Sequence, residues 1–489
     1  MSTVTDRPRA RFSPTQPRQR LRTGRRQQAR KARVARRRLE RVHEQLPQPV
    51  RTIFDPLEPT FSRSVHRRFI LLALAAILTL GGRTITNLLR VLDALAPGHS
   101  CSYHRVFARD RWSLASLARR YVSAVFASFV PRGPILLAGD DTVTEHPGPH
   151  VYGKGRHRDP VRSTHSYTAF RWGHKWVVLA LLVPVPWATR RWALPILVAL
   201  YRPKQENQNQ GKRHKTPPQL LGQLVRTLMR WFPDRTFVVT ADGNYATHEL
   251  AELAARTPRR LTWVSLFYPN ANLVEPPPPY AGTGRPRIKG EDLPDPAVVV
   301  ASTQHRQTLD VAWYGGGRRQ VEIVTGTGLW YKKTRPLVTV RWVFVHDLSG
   351  THRDGYFFTT DAAMSAQSLI ETYTARWNIE TTFEEARSYL RMETTRGWSR
   401  DTVLRVGPCL FGLYTLVVWL YAQLPGRWSR IGIVTWPGKR DVTFSDAITA
   451  VRRWLWLEWV FAIPGHRVAF QKLKPGFRRI LLNALAPAA

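Results

Sequence analysis

Apolar positions fall into two textures along this chain. Between residues 51 and 130 they cluster at helical spacing. FILLALAAILTL (69–80) runs to Gly81-Gly82, and TITNLLRVLDAL (84–95) runs to Pro97-Gly98. SCSYHRVFARDRWSLASLARRYVSAVF (100–126) follows. Each reads as helical, and glycine or proline closes the first two. From residue 134 the texture becomes that of strands. PILLAG is a short unbroken apolar run that delivers Asp140-Asp141-Thr142 at its end. SYTAFRW and KWVVLALLVPV read as a hairpin joined by Gly173-His174, and WALPILVALYR as a further strand. PPQLLGQLVRTLMRWF is an amphipathic helix, RTFVVTAD a buried strand ending in Asp242, YATHELAELAAR a helix and RRLTWVSLF a strand. Strands, helix, strand, helix, strand in that order predict an α/β fold, a mixed sheet with helices on both faces.

Residues 268–362 interrupt the alternation. PPPPYAGTGRPRIKGEDLPDP is loop-like, and residues 307–347 alternate apolar and polar with Gly-rich turns, so this stretch reads as a β-rich insertion. It sets Lys332, Lys333 and Arg341 among Trp330, Tyr331 and Trp342. Bases stack on such aromatics; ordinary strand-face packing produces the same pattern. The insertion leads into YTARWNIETTFEEARSYL (373–390), read as one helix. Ile379, Phe383, Ala386 and Leu390 share its apolar face, and Tyr373, Arg376, Glu380 and Arg387 share an adjacent polar one. A carboxylate between two guanidinium groups can hold a metal and a phosphate together; a solvated face with ion pairs is the plainer reading. Residues 396–489 hold two more helical stretches and a basic end, LKPGFRRILL.

Charge narrows the partners. The 489 residues are 43% hydrophobic, as in globular proteins, yet carry a formal net charge of +40. Such an excess repels itself unless a polyanion neutralises it, which points to nucleic acid. Residues 1–50 hold 15 Lys or Arg against 3 Asp or Glu and cannot bury a core, so they read as a disordered or helical basic arm for phosphates, or a solubilising tail. Residues 51–130 suit a helix-turn-helix-like DNA reader or an ordinary helical packing unit. Cys101 and Cys409 offer no disulfide framework and no zinc cluster, in keeping with a reducing cytoplasm. The first residues lack a secretory apolar core, and 69–80 and 410–424 read as too short to span a bilayer. No membrane partner and no small-molecule substrate is expected.

Asp140 and Asp242 arise at strand ends and Glu380 on a helix after the insertion. Three carboxylates converging on one sheet edge would repel one another without cations. Two hard divalent ions resolve that and create a phosphoryl-transfer site. Here the sequence resembles the bacterial insertion-sequence transposases of the DDE superfamily, in the branch with a Tyr-x2-Arg-x3-Glu-x6-Lys element. That element is Tyr373, Arg376, Glu380 and Arg387, with Arg in place of Lys at the last position, which keeps charge but not geometry. The first carboxylate matches at Asp140-Asp141-Thr142, favouring Asp140, and the second at Asp242, Gly243 and Tyr245. The resemblance spans roughly residues 134–392.

The resemblance implies a ribonuclease-H-like catalytic domain over 131–395, with the insertion at 268–362. It would stand between the basic arm (1–50) and helical domain (51–130) and a C-terminal helical region (396–489). It implies catalytic and metal-binding Asp140, Asp242 and Glu380, and Mg²⁺ or Mn²⁺, two ions per site. DNA contacts are expected from Tyr373, Arg376, Arg387, Trp330, Trp342, Lys332 and Lys333. It further implies cut-and-paste movement of an element with terminal inverted repeats through a DNA hairpin. The partners would be double-stranded element ends and target, bound by a homodimer, in the cytoplasm at the nucleoid. Another ribonuclease-H-like nuclease, such as a junction resolvase, or a catalytically inactive DNA-binding descendant are the alternatives.

Overall fold

The chain's longest strand-like apolar run, residues 175–185, is almost wholly buried because helices cover both faces of the sheet it runs through. It belongs to β3 (Phe170–Val185), which pairs antiparallel with β1 (Ile135–Glu145) and with β4 (Ala188–Tyr201). β5 (Phe237–Ala241) runs parallel to β1, and β6 (Leu261–Leu266) parallel to β5. The order β4-β3-β1-β5-β6, with only the last three strands parallel, is the ribonuclease-H-like arrangement. The short β2 (Gly155–Arg158) pairs with the start of β3. The computed structural model describes residues 16–159, 162–209, 211–280, 282, 284–429 and 434–487, with side chains from residue 27 onward.

Two readings of these strands change. β1 does not end at Asp140; it runs on to Glu145, because β3 keeps pairing with it after β5 has stopped. Gly173-His174 is no turn; β3 passes straight through it, and the hairpin turn lies at Pro186-Trp187, before β4. Gly173 is needed for closeness instead. A Cβ there would fall on the carbonyl oxygen of Thr144 in β1.

The inserted strands extend the sheet rather than interrupt it. They are β7 (Leu273–Val274), β8 (Gln307–Ala312), β9 (Arg318–Trp330), β10 (Val338–Asp347) and β11 (Gly355–Thr359). β11 pairs with β6, and the sheet reaches eleven strands among the described residues. Helices cover both faces. On one, α8 (Pro217–Trp231) buries Leu221, Leu224, Val225 and Leu228 beside α9 (His248–Ala255); Thr216 caps α8 through a reciprocal bond pair with Gln219. On the other lie α11 (Ala366–Ala375) and α12 (Asn378–Leu390). α11 packs on β6, β8 and β11, and α12 on β1 and β4. The stretch read as one helix is therefore two. Arg376 and Trp377 form the joint, where the N–H groups of Arg376, Trp377, Ile379 and Glu380 bond three residues back instead of four.

Helices at both ends complete the chain. α1 (Gln16–Glu44) carries the basic arm and is anchored by buried Leu39 and Val42 near its end. α2 (Gln48–Phe54), α3 (Arg63–Leu78), α4 (Ile85–Leu92), α5 (Ser100–Ala108) and α6 (Leu114–Phe129) follow. α7 (Lys204–Asn209), α10 (Pro296–Ser302) and α14 (Gly426–Ser429) are short connectors. α13 (Arg400–Ala422) is, at 23 residues, long and apolar enough to cross a membrane, so 410–424 was too narrow a reading of it. Its most apolar stretch is 61% buried, against β4, α12, α3 and α15 (Phe444–Leu455). α16 (Pro464–Lys472) and α17 (Pro475–Leu485) close the described chain.

Candidate active site

The parallel pairing of β1 with β5 stops at Gly139 and Ala241. One step further stand Asp140 and Asp242, neighbours on adjacent strands with side chains on the same sheet face. Asp242 ends β5 by capping the next turn. Its Oδ1 accepts the Asn244 N–H (3.1 Å) and its Oδ2 accepts from the Asn244 side chain (3.1 Å). Asp141 occupies the opposite face with Gly139, which faces Leu221 of α8. It is held there by Lys175 Nζ (2.8 Å) and by the Tyr245 hydroxyl, which donates to it (2.9 Å).

The α11–α12 joint lies over this edge. Arg376 is buried, and one nitrogen of its guanidinium donates both to Asp140 Oδ2 (3.2 Å) and to Glu380 Oε1 (2.8 Å). Tyr373 lies beneath, its ring 5.5 Å from that guanidinium and stacked on Phe357 at 4.3 Å. Further along α12, Arg387 donates to the Thr142 hydroxyl, two residues past Asp140 on the same face. Geometry thus brings Asp140, Asp242, Glu380, Arg376 and Arg387 to one face. Tyr373 differs from expectation: it sits on α11, almost fully buried, and supports Arg376 rather than offering its ring to DNA.

Electrostatics follow from this crowding. Burial, then the Asp242 charge, push the Asp140 carboxyl well above the usual carboxylate range, against the pull of Arg376. Asp242 and Glu380 are also raised, chiefly by burial, with Arg376 opposing in both. Burial disfavours the charge on Arg376, but Tyr373, Asp140 and Glu380 outweigh it and keep the guanidinium ionised. Arg376 is thus the internal counter-ion of an over-acidic edge.

The two tryptophans expected to stack on DNA do not face this edge. Trp342 is 2% exposed and Trp330 8%. Both lie in the core on the α8–α9 side of the sheet, among residues such as Phe358, Trp263 and Phe237. Gly326 opposes Trp342 because a Cβ there would come 2.7 Å from the indole. Their basic neighbours Lys332 and Lys333 are exposed on the β9–β10 connection. An exposed aromatic at the joint is Trp377, 46% exposed, next to Arg376 in sequence, with Tyr314 edge-on at 6.0 Å. Helical spacing from Tyr373 (i+4) and Glu380 (i−3) already sets Trp377 off the apolar face, a signal the sequence carried.

Carboxylate oxygens are the donors that Mg²⁺ or Mn²⁺ takes, and the repulsion between Asp140 and Asp242 is what a cation relieves. Among the described residues, no three His, Cys, Asp or Glu side chains stand close enough together to enclose an ion. The donor chemistry fits, while Glu380 is drawn onto Arg376 through Oε1, which leaves Oε2 as the oxygen it can offer a cation.

Residues 56–320 match the family model described as DDE superfamily endonuclease; the span includes Asp140 and Asp242 and ends before Glu380. No curated protein matches the sequence. Among solved structures, the chain is similar to a cryo-EM structure of a piggyBac transposase synaptic complex with hairpin DNA. The identity is 11% and the TM-score 0.38, over 90% of this chain and 82% of that one, too remote to bear on the site. The family match extends over more than half of the sequence, and the chain belongs to the DDE superfamily endonuclease family.

Proposed function

We propose that the protein is a transposase that cuts and rejoins DNA at the ends of its own mobile element. The observation that carries this is the register of β1 and β5, which sets Asp140 beside Asp242 at the end of their pairing, with Arg376 joining Asp140 to Glu380. Divalent cations, two per site in this reading, would be held by Asp140, Asp242 and Glu380 and would supply the activated water or 3′-hydroxyl and stabilise the leaving oxygen. The chain's own groups do the rest. Arg376 is placed to hold the reacting phosphate, and Arg387 stands about two α-helical turns beyond Glu380 on the same face. Trp377 takes the role first given to Trp330 and Trp342. A base leaving the stack as a hairpin forms costs a few kcal/mol, and an exposed indole recovers about 1–3 of it. The formal charge of +40 supports long, non-specific contact with duplex DNA, and a homodimer would pair two ends.

A supercoiled donor plasmid carrying the reading frame with its flanking repeats tests the reading. Excision with joining is expected, with nicked, hairpin and released ends resolved on denaturing gels. Cutting without joining would favour a ribonuclease-H-like nuclease, and binding alone an inactive descendant. Full activity in Asp242→Asn would sink the site.

A further inference from the structure

A cluster of exposed aromatic and basic side chains lies on the acidic face of the sheet, away from the carboxylates. β3 begins three residues before it meets β1, and there only β2 accompanies it, making a two-stranded ribbon past the end of β1. In the ribbon Arg156 opposes Trp172 and Arg158 opposes Phe170. Directly opposed residues share a face, and all four side chains are exposed, Trp172 at 60% and Phe170 at 45%. The other face is covered: Gly155 and His157 are buried.

Two large aromatics exposed together on a strand are unusual unless something covers them. The Arg156 guanidinium lies 3.8 Å from the Phe170 ring and Lys154 Nζ 5.9 Å from that of Trp172, yet Trp172 stays mostly open. The neighbouring carboxylates Glu145 and Asp159 are both engaged by Arg171. The ribbon therefore offers the open Trp172 ring, a half-exposed Phe170 under Arg156, and cations, which fit a polyanion with flat bases. Alternation along β3 places Trp172 on the same face as Val178, the partner of Asp140. Six residues separate them, about 20 Å.

We propose that this ribbon is a docking surface for an unpaired stretch of DNA strand, with bases stacked on Trp172 and Phe170 and phosphates on Arg156 and Arg158. Base pairs inside a duplex have both faces covered, so two rings along a strand suit a single-stranded occupant; at about 3.4 Å per stacked nucleotide, 20 Å is roughly six nucleotides from the carboxylates. The proposal rests on the functional reading above only for the source of that strand, a DNA end opened near the cut.

Anisotropy of the full chain with a labelled oligothymidylate strand, and with a duplex of equal length, reads the surface without divalent cation or chemistry. Trp172→Ala is expected to weaken strand binding about tenfold, the scale of losing one stacking aromatic, and duplex binding less than about twofold. Trp172→Phe should recover most of the loss. Arg156→Ala should lower the salt slope by about one phosphate. Unchanged strand affinity in Trp172→Ala, or equal loss on strand and duplex, overturns the proposal. So does a lowered melting temperature with no recovery by Trp172→Phe, which makes the ring structural. Strand binding through Trp172 in a chain that never excises would retain this surface and remove the transposase reading. Excision by a chain whose strand binding ignores Trp172 would do the reverse.

Discussion

Asp140→Asn is expected to stabilise the protein while abolishing cleavage. Asparagine has nearly the same shape, and its oxygen can still accept the Asp141 N–H, now 2.7 Å from Oδ1. What changes is charge. Burial and Asp242 disfavour the Asp140 carboxylate, Arg376 favours it, and the first two prevail because the carboxyl is held well above its usual range. Arg376 keeps its 2.8 Å bond to Glu380 in the variant. A gain of about 0.5–2 kcal/mol is expected, the scale on which relieving an active-site strain stabilises a protein. The sign with pH is fixed. The folded wild type binds the Asp140 proton more tightly than the unfolded chain, so its stability falls as pH rises from the unfolded value, about 3.9, through the raised folded value. Asparagine has no such slope at this position. The variant's advantage should therefore be absent in acid, open as pH rises and be complete at high pH. Urea melts over a pH series without divalent cations measure it. Added magnesium should stabilise the wild type by RT ln(1 + [L]/Kd), about 2.7 kcal/mol at a hundredfold excess over Kd, and the variant less. A variant less stable than wild type by the same amount at about pH 5 and about pH 8 would refute the reasoning, since the Arg376 bond would then dominate.

Trp342→Ala should cost about 3–5 kcal/mol and depress every step together, read by denaturant melts beside gel assays. Trp377→Ala should change stability by less than about 0.5 kcal/mol yet reduce hairpin formation relative to the first nick. Gly173→Ala should destabilise by about 1–3 kcal/mol or more, because its methyl meets the Thr144 carbonyl, with the loss visible in thermal melts. Deleting residues 1–38 should flatten the salt dependence of duplex binding, whose log–log slope is about −0.9 per neutralised phosphate; an unchanged slope would make the arm a tail.

Much of the central fold was legible, and the misses share a cause. Apolar runs and the carboxylates after them located β1 and β5, since a buried parallel strand writes itself as an unbroken apolar run. Sequence does not write pairing. Nothing in residues 355–359 says that they join β6, so the insertion looked separate when it continues the sheet. Gly173 looked like a turn because glycine serves turns and close approaches alike. Trp330 and Trp342 looked like a DNA platform because alternation of aromatic and basic residues is also what a strand with one buried face produces. Arg376 was singled out on a helix face; that it would bond Asp140, 236 residues away, required the fold.

The broken path of α11 and α12 has a mechanical consequence. Asp140 and Asp242 ride on two strands bonded to each other, so their separation is stiff. Glu380 stands on a separate element, the first turn of α12, which packs on β1 and β4 and at the joint meets α11, itself resting on β6 and on the inserted β8 and β11. The break at Arg376 and Trp377 gives that support a joint which the hydrogen-bonded strand pair lacks. Movement at that joint would shift one carboxylate against two fixed ones, as a movable jaw closes on a fixed one.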